Sequence, residues 1–135
     1  MIPAKYTCDW ENINPALQIS EIPKNAEGLV LIVDDPDATR GSTWLHWTVW
    51  NIKPDTKEIA ENSASVGAVE GKTDFGKPGW GGPCPPSKTH RYFFKIFALD
   101  TILNLPAGAS LNELEKAMDG HISEQAELIG LYSRK

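Results

Sequence analysis

Two histidines, a tyrosine and a pair of aspartates stand where a small anion could be held. His46 lies in the run Trp44-Leu45-His46-Trp47-Thr48-Val49-Trp50, and His90 and Tyr92 open the run His90-Arg91-Tyr92-Phe93-Phe94. Imidazole N–H groups and a phenol O–H are donors suited to an oxyanion. Asp35 and Asp37 flank Pro36 just after a β-branched run. A carboxylate beside a histidine fixes its tautomer and favours its protonated form, which strengthens anion capture. The stretch from Gly79 to Lys88 is rich in Gly and Pro and leads directly into His90. Loops of that composition let backbone N–H groups approach a ligand closely. Together these residues describe a small pocket for phosphate, sulfate or a carboxylate.

Each residue also has a plainer explanation. A histidine in a strand is more often structural than ligand-binding, and aspartates around a proline are good turn formers. Trp44, Trp47 and Trp50 are packing residues by type. The balance shifts toward a site because two of the three histidines stand at the mouths of candidate strands. Other chemistries compete with anion binding. Two histidines and a carboxylate could form a facial-triad metal site, and with it a metal-dependent hydrolase. Cys84 with His90 could form a thiol nucleophile, but Cys84 sits between two prolines with no helix N-terminus to lower its pKa. Asp74-Phe75-Gly76 matches a kinase tripeptide, yet the chain has neither the Gly-rich loop nor the size of a kinase fold.

Positioning those groups requires particular elements. The residue types predict strands over 28–35, 43–52 and 89–100. The first is a continuous β-branched run of the kind buried on both faces. Its connection to the second is short, which favours adjacent antiparallel strands. Strict alternation places Trp44, His46, Thr48 and Trp50 on one face of the second strand. The same rule places His90, Tyr92, Phe94 and Ile96 on one face of the third. If those two strands are neighbours, both imidazoles and the phenol converge at one end of the sheet.

Ser110 and Glu113 form a capping box ahead of Leu111, Leu114, Ala117 and Met118, and Gly120 supplies the stop of a short helix. The tail over 126–135 reads as a final short strand interrupted by Gly130. Between about 60 and 88 nothing resembles an element, although Phe75 and Trp80 favour an ordered, packed loop there. Strands with one late helix and no βα alternation argue for an antiparallel β-sandwich.

Length and composition bound the rest. A chain of 135 residues is most simply one domain over 1–135 with a real core. The formal charge is −5 and no basic cluster breaks it, so nucleic acid and acidic membrane surfaces are poor electrostatic partners. No apolar run is long enough to span a bilayer, so membrane insertion is not expected. The first residues lack a secretory core, which makes the cytoplasm the default location, with a removed export signal as the alternative. Cys8 and Cys84 read as free thiols; a single disulfide is the alternative, fitting an exported or hyperthermophilic protein.

Two blocks in this chain resemble the phosphatidylethanolamine-binding protein family, also called Raf kinase inhibitor proteins. One is VDDPDATRGSTWLHWTVWNI, similar to the family's Asp-Pro-Asp motif and Trp-x-His strand. The other is GPCPPSKTHRYFFKIFALD, similar to its Gly-Pro-x-Pro-Pro loop leading into His-Arg-Tyr. YTCDWENINPAL and MDGHISEQAELIGLYSR extend the likeness over nearly the whole chain, closest in character to the bacterial and archaeal branch.

The resemblance implies a β-sandwich with Greek-key connections and an anion pocket lined by Asp35, His46, His90 and Tyr92. It makes Trp44 a wall, the Cys84-Pro85-Pro86 backbone a rim, and Asp37 a residue that steadies the Pro36 turn. It offers Pro86 as the first candidate for a cis bond. His46, His90 and Tyr92 would donate to the ligand, and Asp35 would orient a histidine or accept from the ligand. No catalytic residue, metal or cofactor is implied. The expected ligand is a phospholipid head group, a phosphopeptide or a metabolite. Inhibition of a serine protease or kinase is the second reading, and self-association as a homodimer stays open. The animal-type C-terminal helix is missing, so kinase inhibition does not follow from the likeness. Thr39 stands where Pro is usual and Trp10 where Gly is usual, which should alter that turn. The likeness starts one strand downstream of the usual family start, so one sheet edge is expected to differ.

Overall fold

The structure is a computed structural model and describes residues 1–134. Strands β1 (Leu17–Gln18), β2 (Gly28–Asp35), β3 (Trp44–Ile52), β4 (Glu58–Ile59), β5 (Val69–Glu70), β6 (His90–Leu99) and β7 (Ile122–Tyr132) appear in chain order, with helix α1 (Leu111–Met118) before the last. Five strands form an antiparallel sheet in the order β5-β3-β2-β6-β7, and β1 pairs with β4 in a two-stranded ribbon.

β2 is the centre of the sheet, and all of its residues are buried. Its unbroken β-branched and leucine sequence has that cause: both edges are paired and both faces are covered. Alternate residues go to opposite cores. Leu29, Leu31 and Val33 pack with Trp47, Tyr92, Phe94 and the ribbon residue Ile59. Val30 and Ile32 pack with Trp50 and with Leu114 and Met118 of α1. Burying each such side chain contributes roughly 1.5–3 kcal/mol. The helix starts as its sequence requires, with Ser110 and Glu113 forming a reciprocal capping box, and Gly120 past its end takes φ +80°.

Four expectations change. The histidine-bearing strands are not neighbours, because β2 lies between β3 and β6. Strict alternation along β3 also fails. Val33 pairs with Trp47 but Asp34 pairs with Leu45, so His46 is an extra residue at a bulge. The phase therefore inverts there: Trp47 and Val49 join the core shared with Tyr92, while Trp50 faces α1. The tail is not a short strand. β7 has 11 residues and pairs along the whole of β6, with most side chains exposed because it forms the sheet edge. Gly130 does not interrupt it; a Cβ there would crowd Ile2, which packs against that point. Finally, Cys8 and Cys84 are not free thiols but a disulfide, with Cα atoms 5.5 Å apart.

The region expected to lack elements is packed, and it carries β5, which pairs with β3. Trp80 meets Trp47 edge-on at 5.6 Å, stacks on Phe94 at 6.1 Å, and donates from Nε1 to the Tyr6 carbonyl at 3.1 Å. Among the described residues no helix is long and apolar enough to cross a membrane.

Candidate functional site

A cavity of about 190 Å³ opens where β2, β3 and β6 end beside the loop that precedes β6. Asp35, Trp44, His46, Phe75, His90 and Tyr92 line it, with Cys84, Pro85 and Pro86 at the rim. Larger grooves run beside β7, lined in part by Ile19, Ile96 and Ala126, but they include no histidine. The residues capable of chemistry gather in the smaller cavity.

β2 ends on two aspartates that alternation sends to opposite faces. Asp34 pairs with Lys95 Nζ at 2.9 Å. Asp35 turns to the cavity, where its Oδ2 lies 2.7 Å from His90 Nδ1 and its Oδ1 accepts the Asp37 N–H at 2.7 Å. Both of its oxygens are thus engaged within the protein. The carboxylate only accepts, so His90 Nδ1 carries hydrogen and Nε2 is the nitrogen left for a ligand. The central strand therefore links two strands that do not touch.

The bulge brings His46 into the same cavity. Had β3 alternated strictly, with Trp47 in the core, His46 would have faced the other side. Instead its ring meets Tyr92 edge-on at 5.3 Å, and His90 stacks on Tyr92 at 6.3 Å. His46 Nδ1 donates to the Gly81 carbonyl at 2.6 Å, and Gly81 N–H donates back to the His46 carbonyl at 3.1 Å. Gly81 has to be glycine, because a Cβ there would overlap the Phe75 ring. Burial pushes the His46 pKa below its usual 6.5, against the raising effect of the Gly81 carbonyl and nearby carboxylates. Tyr92 is buried, and its hydroxyl has no hydrogen-bond partner among the described residues. Desolvation holds that phenol well above its usual range, so it remains an O–H donor.

Asp37 does not reach the cavity. It grips Arg91 through Nε and Nη2, both at 2.9 Å, and through the backbone N–H at 3.0 Å, tying the Pro36 turn to β6. These bonds hold its carboxyl at about 2. Trp44 and Phe75 meet edge-on at 5.5 Å and form one wall, and Arg40 lies 4.6 Å over the Trp44 ring. Arg40 is held by Asp74 at 2.7 Å, whose Oδ2 also accepts the Leu45 N–H at 2.7 Å.

Phe75 and the Gly81 carbonyl are the parts that residue patterns did not assign to the site. Phe75 was visible only as an isolated aromatic in a loop, and a backbone carbonyl has no sequence signature. The disulfide removes the thiol-nucleophile reading, since Cys84 is bonded to Cys8. Among the described residues there is no cis peptide, Pro86 included; positive φ at Gly79 (102°) and Lys88 (62°) turns the loop instead. A facial triad is not formed either. Asp35 engages His90 Nδ1 rather than standing as a third ligand, and among the described residues no group of three His, Cys, Asp or Glu side chains is placed to hold a metal ion. Trp10 is 69% exposed, and its N–H bonds the Thr7 carbonyl at 3.3 Å.

An antiparallel sheet whose strand ends enclose a cavity with two histidines, an aspartate and a tyrosine in its lining defines a small β protein with a ligand-binding fold. The chain belongs to the phosphatidylethanolamine-binding protein family, whose model matches residues 1–133. It is 52% identical over 143 residues to a UPF0098 protein of Pyrococcus horikoshii, covering 99% of this chain and 71% of that one. A UPF0098 protein of Methanothermobacter thermautotrophicus is 49% identical over 138 residues, with 98% and 91% covered. Among solved structures, a phosphatidylethanolamine-binding protein homolog from Chlamydia trachomatis matches with a TM-score of 0.94 at 41% identity, covering 99% of this chain and 90% of that one. Escherichia coli YbcL, described as a member of the mammalian family, matches with a TM-score of 0.86 at 33% identity, covering 95% and 84%.

Proposed function

We propose that this protein is a non-catalytic receptor for a small oxyanion, held between His46, His90 and Tyr92. One observation carries the reading: Asp35 holds His90 through Nδ1 and the Gly81 carbonyl holds His46 through Nδ1, which leaves His90 Nε2, His46 Nε2 and the Tyr92 hydroxyl as polar groups around one cavity. In this reading Asp35 is a positioning residue, since each oxygen already takes a hydrogen bond within the protein and the bond from Nδ1 sets the His90 ring. No activated nucleophile accompanies the histidines, since Cys84 is bridged and Tyr92 stays protonated. The cavity admits a phosphate-sized group, with the rest of a larger ligand lying across Trp44, Phe75 and the Pro85-Pro86 rim. Family membership supports a ligand-binding role in general.

Phosphorus NMR titration with inorganic phosphate tests the assignment. Saturable binding is expected for the wild type and its loss for His90→Ala. Unchanged affinity in that variant would remove His90, and with it the site, from the account.

A further inference from the structure

His46 does not present a donor to the cavity by default. Each Nδ1 is committed to an acceptor, Gly81 O for His46 and Asp35 Oδ2 for His90, so each Nδ1 carries hydrogen. In a neutral imidazole of that tautomer, Nε2 is an acceptor. His46 is buried, 3% exposed, with the rings of Tyr92 and Phe75 against it and no carboxylate bonded to its ring. The charged and titratable groups around it are Asp34 and Asp35 from β2, Asp74 from the loop between β5 and β6, and His90 and Tyr92 from β6. The three carboxylates favour the imidazolium, but desolvation outweighs them. Near neutral pH, His46 therefore offers a lone pair to whatever enters. A fully deprotonated oxyanion would set its own lone pairs against that nitrogen inside a desolvated cavity.

We propose that His46 selects the protonation state of the ligand, so that the cavity takes oxyanions that bring their own O–H. Those are phosphate and the monoanion of a phosphomonoester. Sulfate and simple carboxylates have no hydrogen to offer near neutrality and are rejected. This inference rests on the oxyanion reading above and narrows its ligand class. In the bound state the ligand O–H donates to His46 Nε2, while Tyr92 O–H donates to an ionised oxygen of the same group. The sequence-based expectation of His46 as a donor is thereby reversed for neutral solution.

The test is calorimetric titration of the full chain with inorganic phosphate, sulfate and methyl phosphate at matched ionic strength. Near neutral pH, phosphate should bind roughly tenfold or more tightly than sulfate. Methyl phosphate should lose affinity as pH rises through about 6, where phosphomonoesters lose their second proton. Inorganic phosphate still carries one O–H there and should be less affected. His46→Gln, whose amide can turn its NH₂ toward the ligand, should bring the phosphate-to-sulfate ratio close to one. Equal wild-type affinity for phosphate and sulfate would overturn the selection while leaving an oxyanion site in place. No binding of any of the three would overturn the oxyanion reading itself. If His46→Gln does not fold, the wild-type ratio decides alone.

Discussion

Asp35, His46 and Asp37 show how one side chain's partners set its use. Asp35 accepts one hydrogen bond at each oxygen, from the Asp37 N–H and from His90, and the second of these orients the His90 ring. His46 is buried at a cost that depends on pH. Its pKa is lowered on folding, so below the usual 6.5 the unfolded chain binds more protons than the folded one. Stability should be insensitive to this group above that value and should fall as pH drops below it, by at most about 1.4 kcal/mol per pH unit. Asp37 adds a second acid-side loss, because its pKa of about 2 lies below the ordinary 3.8. Its pairing with Arg91 is fully present above that ordinary value and is lost as pH falls toward 2. Urea unfolding followed across acidic pH should show both windows, with His46→Gln flattening the upper and Asp37→Asn the lower. A slope in the upper window that His46→Gln leaves untouched would contradict the burial argument.

At the scale of elements, the cavity is built by a bulge, a central strand and a rim loop. Several independent ties hold the rim: the Cys8–Cys84 disulfide, Trp80 to Tyr6, Gly82 N–H to Asn12 at 2.8 Å, and Cys8 N–H to the Pro83 carbonyl at 3.2 Å. The disulfide closes a long loop, with 76 residues of separation, and its main effect should be on the unfolded ensemble. Cys8→Ser with Cys84→Ser should lower unfolding stability by about 2–4 kcal/mol while the far-UV spectrum is retained through the other ties. An unchanged midpoint in denaturant would show that the bridge contributes nothing.

These elements also mark what residue patterns can and cannot convey. β2 was legible to the residue, because burial on both faces leaves only β-branched and leucine side chains between Gly28 and the aspartates. The capping box was legible because it needs two particular side chains three residues apart. The bulge was not, since one extra residue at His46 alters the phase of alternation without any change in residue type. β7 was read too short because an edge strand exposed on both faces has no alternation to display. The pairing of Cys8 with Cys84 depends on how the rim loop folds back over the N-terminal segment, which spacing alone does not encode. His90, Tyr92, Asp35 and His46 were legible as types, whereas the neutral state of His46 follows from burial that only the assembled fold supplies.

The whole molecule is a sheet covered by α1 on one face and by the β1–β4 ribbon and its loops on the other, with polar side chains gathered at one end. Its disulfide suits an oxidising compartment, or a cytoplasm of the kind found in hyperthermophiles, where intracellular disulfides persist. With a formal charge of −5, the protein as a whole repels anions, so the oxyanion binding proposed above would rely on the few groups in the cavity and not on long-range steering. Association with phosphate should accordingly be modest in rate and only weakly sensitive to salt. The central claim is that His46, His90 and Tyr92 hold one oxyanion between them. A crystal soaked in phosphate tests it most directly. The account predicts tetrahedral density within hydrogen-bond distance of both Nε2 atoms and the Tyr92 hydroxyl, and with no direct contact to Asp35. A well-ordered cavity containing only water at saturating phosphate, or phosphate bound elsewhere on the chain, would contradict it.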